Sequence, residues 1–129
     1  MTTQTIRQIS MDVGAVDVTA RRFVSMGNNG IVAISGNGAD AIGVAAETTD
    51  VAGGNTTVPV ALLDGAVLMV EAGAAINVAA AVVPITSDAT GRAKAATIGL
   101  TILGYAKTSA GAAGEFIEIV GLKTGTLAL

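Results

Sequence analysis

One short run of residues occurs twice. Ile42-Gly43-Val44-Ala45, followed by Ala52-Gly53-Gly54, returns as Leu103-Gly104-Tyr105-Ala106, followed by Ala113-Gly114. The spacing is constant, since 104 − 43, 106 − 45, 113 − 52 and 114 − 53 all equal 61. The same spacing sets Gly30 on Gly91. Identities that share one offset over this span mark an internal duplication, which decides the fold more firmly than any local propensity. At 129 residues the chain has the length of one domain built from two similar halves.

Turn chemistry identifies the repeated unit. Asn28-Asn29-Gly30 stands between Phe23-Val24-Ser25-Met26 and Ile31-Val32-Ala33-Ile34. Asn-Gly between β-branched runs is a strong hairpin signal, because both residues accept positive φ. Asp88-Ala89-Thr90-Gly91 holds the corresponding place in the second copy, and Pro84 before it marks an edge strand or a strand that has just begun. Thr56 to Leu63 alternates, with Val58, Val60 and Leu62 on one face. Asp64-Gly65 then reads as a second hairpin turn into Ala66–Val70. In Glu115–Val120, Ile117 and Ile119 face one way and Glu118 the other.

Alanine and glycine make up about a third of the chain, but its larger apolar residues are mostly Val and Ile, which favour strands. Only the alanine-rich run from Ala72 to Val83 suggests helix. The duplication sets Val83 to Thr86 on Arg22 to Ser25, which reads as strand, so one helical turn at most is expected there.

The expected fold is therefore all-β, a small sandwich or barrel of two similar halves at an offset of 61 residues. Residues 1–13 are read as an N-terminal arm outside the repeat. Residues 14–129 form the β domain, with copies at about 14–63 and 75–122, and 123–129 is a tail. Gly43 and Gly104 are expected at sites of close packing. Gly53 and Gly114 are expected in positive-φ turns, as are Gly30 and Gly91.

The residue inventory leaves little room for catalysis. With no histidine and no cysteine, the commonest general base and the thiolate ligands are missing. Gly36-Asn37-Gly38-Ala39-Asp40-Ala41 imitates a dinucleotide fingerprint, but a strand follows where the phosphate-binding helix should begin. The ten carboxylates lie mostly in turns, and no loop follows the calcium-binding pattern. A net charge of −3 disfavours nucleic acid, and no apolar run is long enough for a membrane-spanning helix. No enzyme activity, cofactor or metal is expected. Asn55-Thr56-Thr57 is a chance glycosylation pattern, because Met1-Thr2-Thr3-Gln4-Thr5 does not begin a signal peptide. With 51% hydrophobic residues, the chain is expected to bury apolar surface against partners or copies of itself.

The order of several segments resembles the capsid cement, or decoration, proteins of tailed bacteriophages. These segments are Arg22-Phe23-Val24, Gly30, Ala41–Ala45, Val60–Gly65, Val70–Ile76, Ser87–Ala93, Gly104-Tyr105-Ala106 and Ala113-Gly114-Glu115. They fall between about residues 16 and 120. After Ile76 the family usually has a turn glycine, whereas Asn77-Val78-Ala79-Ala80-Ala81 stands here.

The resemblance implies a structural virion protein made in the bacterial cytoplasm. It would bind the major capsid protein on the outer surface of the shell, bridge neighbouring capsomers and self-associate as a trimer. Thr3, Gln4, Ile6, Arg7 and Ile9 of the arm are the expected capsid contacts. The alternatives are another virion module, such as a tail or fibre part, or a bacterial surface subunit.

Overall fold

The computed structural model describes residues 6–127, which contain ten strands and no α-helix. β1 (Gln8–Val13), β2 (Phe23–Met26), β3 (Ile31–Ile34), β4 (Gly43–Ala45) and β5 (Thr57–Leu62) form a closed barrel in the order β1-β3-β2-β4-β5. β6 (Asp64–Glu71), β7 (Pro84–Ser87), β8 (Ala93–Ala95), β9 (Thr101–Ala106) and β10 (Phe116–Thr126) form a five-stranded sheet in the order β6-β10-β9-β7-β8. Pairing is antiparallel except between β1 and β3.

The duplication is visible in the register. Val24 pairs with Gly43, and Ile85 pairs with Gly104, both members displaced by 61. Ala45 pairs with Val60, and Ala106 with Ile119, but here the second displacement is 119 − 60 = 59. The shorter spacing comes from the loop before β10, which covers 107–115 where the loop before β5 covers 46–56. Ile9 pairs with Val60 as Leu68 pairs with Ile119, so β6 is the counterpart of β1, with 68 − 9 = 59. Val13 pairs with Val32, and at the matching place Ala72 and Ala93 form a single parallel bridge. Each half is thus the same five-stranded unit, closed by a parallel pairing in the first half and by one bridge in the second.

Alternation explains two apolar layers. Val18, Val24, Val32, Ala45, Val58 and Val60 fill the first barrel, with Met11, Val13, Ile34 and Ile42 against them. The second core holds Val70, Ile85, Leu103, Ile117 and Ile119, and continues onto Phe23, Val44 and Ala61 from the outside of the first barrel. Phe23 is fully buried and heads the largest buried side chains. Burying such a side chain contributes about 2–3 kcal/mol, so the two halves are joined by core and not by a linker.

Several expectations change. The arm assigned to 1–13 includes β1, whose Met11 and Val13 pack on the barrel core while Gln8, Ser10 and Asp12 alternate with them. The repeated identities begin only at Gly30 and hid this strand. Asp64-Gly65 does not close a hairpin. β5 and β6 belong to different sheets, and only Leu63 separates them, too little chain to turn back. The tail from 123 is strand as far as Thr126, paired with Thr101 across a bulge. The run 72–83 contains no helix. Pro84 is the first residue of β7, where its missing N–H is tolerated.

The glycine pairs divide. Gly30 and Gly91 hold positive φ, at 72° and 81°. A Cβ on Gly43 would overlap the Ala61 carbonyl, and one on Gly104 would overlap the Val120 carbonyl, the counterpart contact. Gly114 has φ of 93°, but in the first copy the positive φ of 106° falls on Gly54 and not Gly53. The Gly53 amide donates instead to the Asp50 carbonyl at 3.1 Å and carboxylate at 3.0 Å. The unequal loops slide the two turns past each other, so the matched letters mark different conformations.

Candidate functional site

Of the residues expected at the capsid, Ile6, Arg7 and Ile9 lie at the start of the first barrel, just before and within β1. Thr3 and Gln4 are outside the described residues. Ile6 leads into β1 and is 42% exposed. The Arg7 carbonyl accepts from the Leu62 amide at 2.9 Å, which fixes the backbone, while its largely exposed guanidinium stands 3.4 Å from Asp64. Ile9 belongs to the alternating set that fills the barrel, but it sits at the mouth and stays 41% exposed. Ile6 and Arg7 therefore present an apolar and a cationic group from the segment leading into β1, which is anchored to β5 through the Arg7 carbonyl. An exposed ion pair such as Arg7–Asp64 contributes about 0–1 kcal/mol, which leaves Arg7 free to exchange partners.

Beside this edge a shallow groove runs along the junction of the halves. It is lined by Ile6, Gln8, Arg21, Val44, Ala61 and Met69, among others. Arg21 lies in the left-handed region at φ 64°, unusual for a non-glycine residue. Its carbonyl accepts from the Glu71 amide at 2.8 Å, so the chain entering β2 is tied to the edge of β6.

Charge closes the junction. Glu71 stands between Arg92 at 3.3 Å and Arg22 at 3.6 Å, with its carboxylate mostly buried. Asp88 organises the neighbouring turn by accepting from the Thr90 amide and hydroxyl at 2.8 Å and from the Arg92 amide at 2.9 Å. Burial pushes the Asp88 carboxyl up. The hydrogen bonds from Thr90 and Arg92, together with the Arg92 charge, outweigh that and hold it below its ordinary value. This turn presses on the first half through a 2.7 Å bond from the Phe23 amide to the Gly91 carbonyl. Further ties cross the junction, Lys123 to Asp40 at 3.0 Å and Lys94 to Asn37. These groups are engaged with one another in holding the halves together.

Among the described residues no cluster of three or more His, Cys, Asp or Glu side chains could hold a metal ion. The distinctive feature is the surface. Met69, Val82, Phe116 and Leu122 are exposed on the second half, at 45%, 78%, 54% and 44%. Sequence reading missed them because they sit in or beside strands rich in buried neighbours. Met69 lies between Leu68 and Val70, both buried, and only strand alternation separates its face from theirs.

No protein-family model and no curated protein sequence matches the chain. Among solved structures, the fold is similar to that of the head fiber gp8.5 N base in bacteriophage phi29, with a TM-score of 0.72. Identity is 20%, and the match covers 97% of this chain and 100% of that one. At this identity the likeness is one of fold, and it extends over both halves of the duplication.

Proposed function

We propose that the protein is a structural part of a tailed-bacteriophage virion that sits on the outer face of the head shell. The observation that carries this reading is the whole-length fold match to the N base of a phage head fibre. The order of turn and strand segments, which resembles that of capsid cement proteins, agrees with it. The surface suits the role, being a rigid double β unit with scattered exposed apolar side chains. Binding in many copies would let each contact be modest.

In this role the chain binds the major capsid protein, bridges neighbouring capsomers and self-associates, as a trimer in the cement-protein arrangement. Ile6 and Arg7 face the shell, presented by the edge of β1. Thr3 and Gln4, just before them, extend the same contact in sequence. Ile9 at the barrel mouth is placed for a different contact.

The test is co-sedimentation of the purified protein with undecorated capsid shells. Binding that saturates, and that Ile6→Asp with Arg7→Glu weakens at unchanged melting temperature, supports the reading. Absence of binding by the wild-type chain contradicts it. Removal of Thr2 to Ser10 is a poor test, because it also deletes half of β1.

A second reading, the base of a projecting fibre, is favoured by the identity of the structural neighbour. Quantitative mass spectrometry of purified particles separates the two. A cement protein approaches the copy number of the major capsid protein, and a fibre base stays well below it.

A further inference from the structure

We infer that copies of the chain join head to tail, with the mouth of the first barrel in one copy seated on the outer face of β7, β9 and β10 in the next. The template is the joint inside the chain. On the first half, Ala61, Val44 and Phe23 form one cross-strand row over β5, β4 and β2. The row is buried at 7%, 2% and 0% exposure. The second half covers it, with Leu68 and Met69 beside Val44 and Ala61, and with the turn at Gly91 on Phe23.

The counterpart row on the second half is Val120, Tyr105 and Pro84, paired across β10, β9 and β7 in the same register. All three remain partly open to solvent. The covering surface also has an open counterpart. Leu68, 3% exposed, corresponds to Ile9, 41% exposed. The turn 88–91 corresponds to 27–30, flanked by Met26 at 55% and Ile31 at 37% exposure. Two like units joined head to tail leave one unmatched surface of each kind, and here each carries exposed or half-exposed apolar side chains. A second copy supplies the missing match, and repetition closes a ring if the rotation permits.

The joint between copies differs from the internal one. Pro84 has no N–H, so the bond from Phe23 to Gly91 has no counterpart. Asp12, which corresponds to Glu71, already pairs with Ile31. The joint therefore lacks both of these backbone ties and is the weaker and more reversible of the two. This deepens the self-association in the proposed role and rests on that part of it alone, not on capsid binding.

The chain has no cysteine, which permits a clean crosslinking test. Ile9→Cys and Tyr105→Cys are placed in separate full-length chains, because their internal counterparts Leu68 and Val44 line one groove. A short bismaleimide is added to each variant and to their mixture, and sedimentation velocity is run on the wild type. The expected result is a self-associating wild type and a crosslinked dimer in the mixture only. Ile31→Cys with Pro84→Cys is the second pair if either first variant melts below the wild type, because the turn beside Arg92 meets Phe23 inside the chain. A monomeric wild type, homodimers in a single variant, or no dimer in a mixture of folded variants overturns the inference. Co-sedimentation with shells is read separately, so failure of the joint and failure of capsid binding are distinguishable.

Discussion

The Phe23 amide donates to the Gly91 carbonyl at 2.7 Å, so β2 of one half starts on a turn of the other. A Cβ on Gly91 would come within 2.8 Å of Ile34 and 3.0 Å of the Phe23 carbonyl, at a φ of 81° that side chains resist. Both Phe23→Ala and Gly91→Ala should weaken the joint. We expect Phe23→Ala to lower stability by about 3–5 kcal/mol, measured by chemical denaturation. A loss below about 1 kcal/mol would show that the halves are not held by a shared core.

Gly43 and Gly104 make the same close approach, to the carbonyls of Ala61 and Val120. Gly43→Ala and Gly104→Ala should therefore destabilise the protein by similar amounts, each about 1–3 kcal/mol from overpacking. Denaturation midpoints of the two variants compare them directly. A large effect at one site and none at the other would contradict the structural equivalence.

Asp88 gives the stability profile an acid limb. Its folded-state pKa lies below the ordinary value of 3.8. The stabilisation it supplies is present above that ordinary value and is lost as pH falls through the depressed one. Asp88→Asn should thus lower stability near neutral pH, by about 1 kcal/mol per hydrogen bond weakened, and should flatten the decline below pH 3.8. Thermal melts across that range decide it, and an unchanged slope would remove Asp88 as the cause.

Two junction charges should behave differently. Glu71, at 15% side-chain exposure, neutralises two arginines, and Glu71→Gln should cost about 2 kcal/mol. Asp40, at 71% exposure, meets Lys123 in water, and Asp40→Asn should change stability by less than about 1 kcal/mol. Equal losses in the two variants would mean that burial does not set the worth of these pairs.

The all-β class and the duplication were legible because turns write themselves in side-chain chemistry. Asn29 and Gly30 require positive φ, and Gly43 and Gly104 leave room for a neighbouring carbonyl. β1 was not legible. Its counterpart is β6, but Ile9 and Leu68, or Met11 and Val70, share only apolar character, at a spacing of 59 that an ungapped comparison at 61 misses. Within the loop the spacing is already 114 − 54 = 60, since Gly54 and Gly114 hold the positive φ, and this misassigned Gly53. The surface was hidden for a related reason. Tyr105 stands at the place of buried Val44, and nothing in those letters tells which half is covered by the other.

The most direct measurement is a cryo-EM map of a phage particle assembled with this chain, at a resolution that places the β units. The account predicts density for two five-stranded units on the outer face of the head, with the edge at Ile6 and Arg7 turned toward the shell. Density for this fold only in the tail, or none on the particle, would contradict it.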